Sequence, residues 1–284
     1  MYIIVMLVIF FNSPVIMIRV TLVNQAPLLY YCFMKLCRLN ELFASIQGEG
    51  PWVGARHIFV RFQGCDLQCC FCDTPASKPA GDAAAPEFCK VQSSSGSSAA
   101  YEQVPNPVSA SRLSELCARL VIPGPSRTTI SLTGGEPLLQ HEFLAEWLPQ
   151  AKKRHRIYLE TSGIHDRAMK ALSGLIDVVS MDFKLPSATG LRPFWEEHRR
   201  FLSAFGEAAL FVKAVVTPDT TMEDVLASAR LIAGRDASIP LILQPSSGAP
   251  APDAKMLIDF QDAALGIIAD VRVIPQTHRI LNVP

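Results

Sequence analysis

Cys65-Asp66-Leu67-Gln68-Cys69-Cys70-Phe71-Cys72-Asp73-Thr74 is the stretch on which the rest of the chain is organised. Cys65, Cys69 and Cys72 form a CxxxCxxC triad with an aromatic residue just before its last cysteine. Three thiolates are one too few to close a tetrahedral zinc site or to give every iron of a cubane its own cysteine. If the triad holds a [4Fe–4S] cluster, one iron stays open to a ligand that is not protein. The alternative is a structural zinc site, which needs a fourth ligand. Cys70 is crowded by its neighbours, while Cys89 and Cys117 are distant and belong to no CxxC or CxxH pair. The ligand count therefore favours iron–sulfur.

Working outward, His57 to Phe62 (HIFVRF) has the character of a buried strand and delivers the cysteine loop at its C-terminal end. Chemistry in α/β barrels is placed at that end. Arg61, four residues ahead of Cys65, is suited to bind a carboxylate bidentately. Upstream, Gln47-Gly48-Glu49-Gly50 is a loop whose glycines let backbone approach a ligand. Downstream, Thr133-Gly134-Gly135-Glu136-Pro137 follows a strand expected at 128–132, and Glu136 could pair with an ammonium group. Glu160-Thr161-Ser162-Gly163 ends a strand at 157–159 in the same way. Strand alternation puts Ser180, Asp182 and Lys184 on one face of a segment at 177–183. Gln244-Pro245 closes a strand at 240–243.

The remaining pattern alternates strands and helices. Helices are expected at 109–120, 141–153, 221–233 and 254–268, with further strands at 209–216 and 271–274. That alternation argues a parallel sheet with right-handed crossovers in one large α/β domain, for which 284 residues suffice. Residues 76–108, rich in Ala, Ser, Pro and Gly, show no apolar period and are expected to be a mobile insertion. Lys plus Arg equals Asp plus Glu at 26 each, so there is no electrostatic reason to expect nucleic-acid binding. The eight cysteines do not form a secreted disulfide framework, and a reducing, cytoplasmic setting is expected. Met1 to Phe11 is apolar, but it falls short of the ~20 residues that span a bilayer and lacks a positive n-region. Residues 1–33 are expected to lie outside the functional domain, which is assigned to 34–284, and no membrane association is expected.

The triad followed by Gly-Gly-Glu-Pro resembles the radical S-adenosylmethionine (SAM) superfamily. Ser45-Ile46-Gln47-Gly48-Glu49-Gly50, Arg61-Phe62-Gln63-Gly64-Cys65, Cys72-Asp73-Thr74 and Pro275-Gln276-Thr277-His278 narrow the resemblance to the 7-carboxy-7-deazaguanine synthase family. The resemblance covers Met34 to the end, with 76–108 unmatched. It implies an incomplete TIM-like β/α barrel, a homodimer, and an electron donor such as flavodoxin or ferredoxin. It also implies conversion of 6-carboxy-5,6,7,8-tetrahydropterin to 7-carboxy-7-deazaguanine and ammonia, as in queuosine-type 7-deazapurine biosynthesis. The implied cofactors are a [4Fe–4S] cluster on Cys65, Cys69 and Cys72, SAM, and Mg²⁺ on Thr74. By the same resemblance Phe71, Cys72, Asp73, Gly134, Gly135, Glu136, Ser180, Met181, Asp182, Lys184 and Gln244 serve SAM. Ile46, Gln47, Gly48, Glu49, Arg61, Thr133 and His278 serve the pterin. The six residues after His278 hold no Asp or Glu and can reach back about 20 Å, so Pro284 is expected either to offer its α-carboxylate to the aminopyrimidinone edge or to fray as a chain end. Two other readings share part of the pattern: another radical SAM enzyme, such as a glycyl-radical activase, and a non-enzymatic metal-binding scaffold.

Overall fold

A computed structural model describes residues 4–10, 15–22, 30–78, 86–96, 99–247 and 250–284, with side chains from Met34 onward. The strands are β1 (Ile4–Phe10), β2 (Val15–Leu22), β3 (Tyr30–Cys37), β4 (Leu39–Ile46), β5 (Arg56–Phe62), β6 (Phe88–Gln92) and β7 (Tyr101–Pro105). They continue as β8 (Val108–Ser109), β9 (Thr129–Gly134), β10 (Arg156–Thr161), β11 (Val178–Phe183), β12 (Ala209–Val216), β13 (Leu241–Pro245) and β14 (Val271–Val273). The principal helices are α1 (Ala110–Leu120), α2 (His141–Ala151), α3 (Asp166–Ala171), α4 (Pro186–Thr189), α5 (Trp195–Phe201), α6 (Met222–Ala233), α7 (Ala254–Leu265) and α8 (Thr277–Leu281).

Ten strands form one sheet in the order β14-β13-β12-β11-β10-β9-β5-β4-β6-β7. From β14 to β5 every neighbouring pair is parallel, as strand–helix alternation requires. β4 returns antiparallel to β5, β6 runs parallel to β4, and β6 and β7 make an antiparallel pair. The two ends, β14 and β7, are not paired with each other, so the sheet stays open rather than closing into a barrel. β1, β2, β3 and β8 form a separate four-stranded sheet.

The expectation of an unstructured 76–108 is corrected for 88–92 and 101–105, which are β6 and β7. Their apolar signal is sparse because they cover only the margin of the core. Cys89, Val91 and Val104 point inward while Phe88, Tyr101, Glu102 and Gln103 remain exposed. Asn106 pins the segment by donating from Nδ2 to the Leu39 carbonyl (2.8 Å) and accepting the Leu39 N–H at Oδ1 (3.1 Å).

Side-chain alternation along the parallel strands separates two faces. Ile58, Val60 and Phe62 of β5, Ile130 and Leu132 of β9, Val179 and Met181 of β11, and Val212 and Ala214 of β12 enter the main core. The helices meet them there with spaced apolar stripes. α1 contributes Leu113, Leu116, Cys117 and Leu120, and its first turn is closed by the Ser109 hydroxyl accepting from the Arg112 N–H (3.2 Å). Thr221 and Asp253 cap α6 and α7 in the same manner. The opposite strand face is covered at its lower end by a small cluster of Tyr158, Val178, Phe211 and Ile242 beneath Trp52. Above that floor, the alternating residues of the same strands turn polar.

Candidate active site

A cavity of ≈ 640 Å³ opens above the aromatic floor, at the C-terminal ends of the parallel strands. Alternation places Arg61, Thr133, Glu160, Ser180, Asp182, Lys213 and Gln244 on its walls, one or two from each strand from β5 to β13. Loops supply Cys65, Cys69, Phe71, Cys72, Asp73 and Thr74 on one side and Ile46, Gln47, Gly48 and Glu49 on the other. Gly134, Gly135, Lys184, His278 and Pro284 complete the correspondence with the expected site.

Two of the expected residues do not face the cavity. Glu136 is 1 % exposed, and its carboxylate accepts from Thr161 Oγ1 (2.8 Å), Ser162 N (2.8 Å), Ser162 Oγ (2.6 Å) and Leu138 N (3.1 Å). A buried acid needs such partners, so Glu136 locks the loop after β9 to the end of β10 instead of presenting a free carboxylate to an ammonium group. Met181, one residue out of phase with Ser180 and Asp182, points into the core against Gly163. Arg61 lines the cavity, but its Nε already donates to Glu41 Oε1 (2.6 Å), its partner across β4 and β5.

The three thiols of the triad are free, half-buried and share the cavity. Cys70 is more exposed, and its Sγ donates to the Ala188 carbonyl (3.1 Å). Cys89 and Cys117 are sealed in the core, which removes them as fourth ligands for the zinc alternative. Among the described residues no three His, Cys, Asp or Glu side chains converge tightly enough to hold a single metal ion. Three thiols carried by one loop into one cavity suit three corners of a cubane, with the fourth iron left to a ligand that is not protein. Burial pushes the Cys65 and Cys69 thiols above the usual range, so loading a cluster must displace their protons. SAM fits as well. Asp182 Oδ1 and Gln244 Oε1 are buried acceptors without a protein partner, on strands flanking β12, ready for ribose hydroxyls or an ammonium group. A side chain at Gly135 would strike the Gly64 carbonyl at 2.0 Å, so backbone edges pass here with no room for a Cβ.

The opposite wall is a hydrogen-bonded carboxylate network. Glu160 accepts from Gln47 Nε2 (3.0 Å) and Thr133 Oγ1 (2.7 Å). Burial, reinforced by the negative charge of Glu49, raises its carboxyl above the ordinary value. Glu49 is treated oppositely. Burial alone would raise it, but the Lys213 ammonium and a hydrogen bond from Gln276 outweigh burial and hold its carboxyl at about 2. Gln276 Nε2 donates to both Glu49 Oε1 (2.6 Å) and Asp73 Oδ2 (3.0 Å), tying the Gln-Gly-Glu-Gly loop, the cysteine loop and the C-terminal segment together. The Thr277 N–H donates to the Gly48 carbonyl (2.9 Å), and the His278 ring lies so close to Gly48 that a Cβ there would meet it at 2.2 Å.

Lys213 is the site residue most easily missed in the sequence. It lies inside the apolar run Leu210-Phe211-Val212-Lys213-Ala214-Val215, where one cation has little compositional weight. The alternation that marks Ser180 and Asp182 on β11 would have found it on β12. Glu160 and Gln276 lie within motifs legible in the sequence, but their contacts become visible only once the loops meet.

The radical SAM superfamily model matches residues 59–232. The 7-carboxy-7-deazaguanine synthase of Geobacter sulfurreducens is 38% identical over 248 residues, covering 86% of this chain and 96% of the relative. That of Methanopyrus kandleri is 34% identical over 246 residues, covering 85% of this chain and 92% of the relative. A crystal structure of QueE from Escherichia coli superimposes with a TM-score of 0.53 at 20% identity, over 84% of this chain and 94% of that one, a likeness of fold. With the cysteine triad, the open β/α sheet and relatives matched along nearly their whole length, this chain belongs to the 7-carboxy-7-deazaguanine synthase family of radical SAM enzymes.

Proposed function

We propose that the enzyme converts 6-carboxy-5,6,7,8-tetrahydropterin to 7-carboxy-7-deazaguanine with release of ammonia. The observation that carries this reading is the pairing, in one cavity, of the cysteine triad with a convergent set of amide and carboxyl groups on the facing wall. Its volume is in the range of small-molecule sites. Superfamily membership brings a [4Fe–4S] cluster and SAM. When bound, they supply a hydrogen-abstracting agent that acts at C6 of the pterin.

The chain's own residues hold and orient. Cys65, Cys69 and Cys72 would take three irons and leave the fourth open. Asp182, Gln244, Ser180, Lys184 and the backbone of Gly134 and Gly135 would receive SAM, with Phe71 near its adenine. Lys184 is anchored for this by Asp182 Oδ2 (2.7 Å) and by the Phe71 ring, whose centroid lies 6.0 Å from its Nζ. Ile46, Gln47, Gly48, Glu49, Arg61, Thr133, His278 and Pro284 would surround the pterin. Glu49, kept ionised, can accept from the aminopyrimidinone N–H groups, and Glu160, with its raised carboxyl, can hold a proton beside them. Mg²⁺ would use Thr74, whose Oγ1 lies 3.5 Å from the Gly134 carbonyl; with one protein hydroxyl, most of its shell would be substrate carboxylate and water. A flavodoxin- or ferredoxin-like electron donor and a homodimer of the 34–284 unit complete the proposal.

The test is an anaerobic incubation of cluster-loaded protein with reductant, SAM, Mg²⁺ and the carboxytetrahydropterin. The expected result is one ammonia per deazaguanine, with SAM recovered. Loaded protein that cleaves SAM but leaves the pterin unchanged would overturn the reading.

A further inference from the structure

Lys213 occupies a position that no motif marks. It is directly opposite Asp182 in the parallel register of β11 and β12. Its Nζ meets Glu49 Oε2 at 2.5 Å and Asp182 Oδ2 at 3.6 Å, and its side chain is 12% exposed. Glu49 belongs to the wall assigned to the pterin and Asp182 to the wall assigned to SAM. One ammonium therefore spans two carboxylates that the proposed reaction would use for different ligands. We infer that Lys213 is a positioning residue that couples the two subsites, fixing Glu49 as an ionised acceptor for the pterin and Asp182 as an acceptor for SAM.

The chemistry follows from burial and charge. Asp182 shares Oδ2 between Lys184 and Lys213, which leaves Oδ1 without a protein donor. With both cations on Oδ2, Oδ1 remains the atom available to a ligand hydroxyl. Glu49 uses Oε2 for Lys213 and Oε1 for Gln276 (2.6 Å) and Gln244 (3.3 Å). The other titratable groups facing Glu49 are Glu160 and Tyr158 from β10 and His278 from α8. Neither Glu160 nor Tyr158 supplies positive charge. His278 does so only when protonated, and burial lowers its pKa. Without Lys213, a buried Glu49 beside Glu160 would take up a proton readily and turn from acceptor to donor. Lysine suits the task because a compact ammonium on a flexible stem reaches both carboxylates from one strand position.

This inference rests on the proposed reaction for its pterin arm, and the experiment separates the two. Lys213→Met and Lys213→Arg proteins are loaded with cluster, their iron content is checked, and equilibrium binding of SAM and of the carboxytetrahydropterin is measured from about pH 5 to 8. The wild type should bind the pterin with an affinity insensitive to Glu49 over this range. Lys213→Met, at unchanged iron content, should lose about tenfold or more in affinity for each ligand and acquire an acid-side loss of pterin binding. Lys213→Arg should restore a flat profile. In the Glu49→Gln background, which also relieves a stranded carboxylate should Lys213→Met fold poorly, the further loss of pterin affinity from Lys213→Met should shrink. Unchanged affinities in Lys213→Met, or loss of one ligand only, would overturn the coupling. A wild type that binds no pterin would overturn the proposed reaction, and Lys213 is then judged on SAM affinity, which must still fall.

Discussion

Two groups of three cysteines show how little a residue's identity says without its surroundings. Cys37 on β3, Cys89 on β6 and Cys117 on α1 are enclosed in the main core. Burial pushes the Cys89 thiol to about 11 and the Cys117 thiol to about 12. It also raises Cys37 well above the ordinary value, helped by the other two thiols nearby. These behave as small apolar side chains. Cys65, Cys69 and Cys72 instead lie along one loop, half-buried and open to the cavity. The first group contributes packing and the second contributes ligands. Placement decides which: Cys37, Cys89 and Cys117 occupy inward positions on two strands and a helix, whereas the loop after β5 turns its three thiols toward the cavity.

The largest effect should come from breaking the loop group. Replacing Cys65, Cys69 or Cys72 by Ala should abolish cluster incorporation and turnover, measured as iron per chain after anaerobic reconstitution. Cys70→Ala should keep its iron, since its thiol is engaged with the Ala188 carbonyl. Full iron in Cys69→Ala, or none in Cys70→Ala, would erase the distinction.

Acid should strike the core side of the comparison. Burial, with the charge of Arg156, lowers His57 to about 4, and burial lowers His198 to about 4 although its Nε2 donates to the Ser162 carbonyl. Both folded values lie below the unfolded value near 6.5. The native state therefore binds fewer protons, and the stability is fully present above about pH 6.5 and lost as pH falls to about 4. Each histidine accounts for roughly 3 kcal/mol at most. Urea midpoints that are equal at pH 7 and pH 4.5 would contradict this.

A smaller effect sharpens the contrast between the thiols. Cys117→Ser places a hydroxyl in an apolar enclosure and should cost about 1–3 kcal/mol in urea unfolding while iron content stays unchanged. Loss of iron without loss of stability would assign Cys117 to the wrong group. The smallest effect is expected from a chain started at Met34. The cavity's lining begins at Phe43, so cluster content and turnover should match those of the full chain. A drop in either would place the upstream strands within the catalytic unit.

Much of this was legible because parallel strands write their two faces in alternate letters. The apolar runs, the glycine loops at their ends and the CxxxCxxC spacing determined an α/β sheet carrying a three-thiol loop at its C-terminal edge. Near-continuous apolar strands also hid information. Lys213 within β12 is marked in the sequence only by its phase in an apolar run, and its role depends on register with Asp182 and on a loop that folds back from β4. Glu136 shows the converse. Its motif suggested a free carboxylate, and the meeting of the β9 loop with Thr161 and Ser162 turned it into a buried lock. The strands at 88–92 and 101–105 were invisible because marginal strands bury one face only partly. Periodicity and spacing are local and survive in a one-dimensional string. Partnerships between charges exist only after distant segments are brought within hydrogen-bonding distance in a medium dry enough for each pairing to matter.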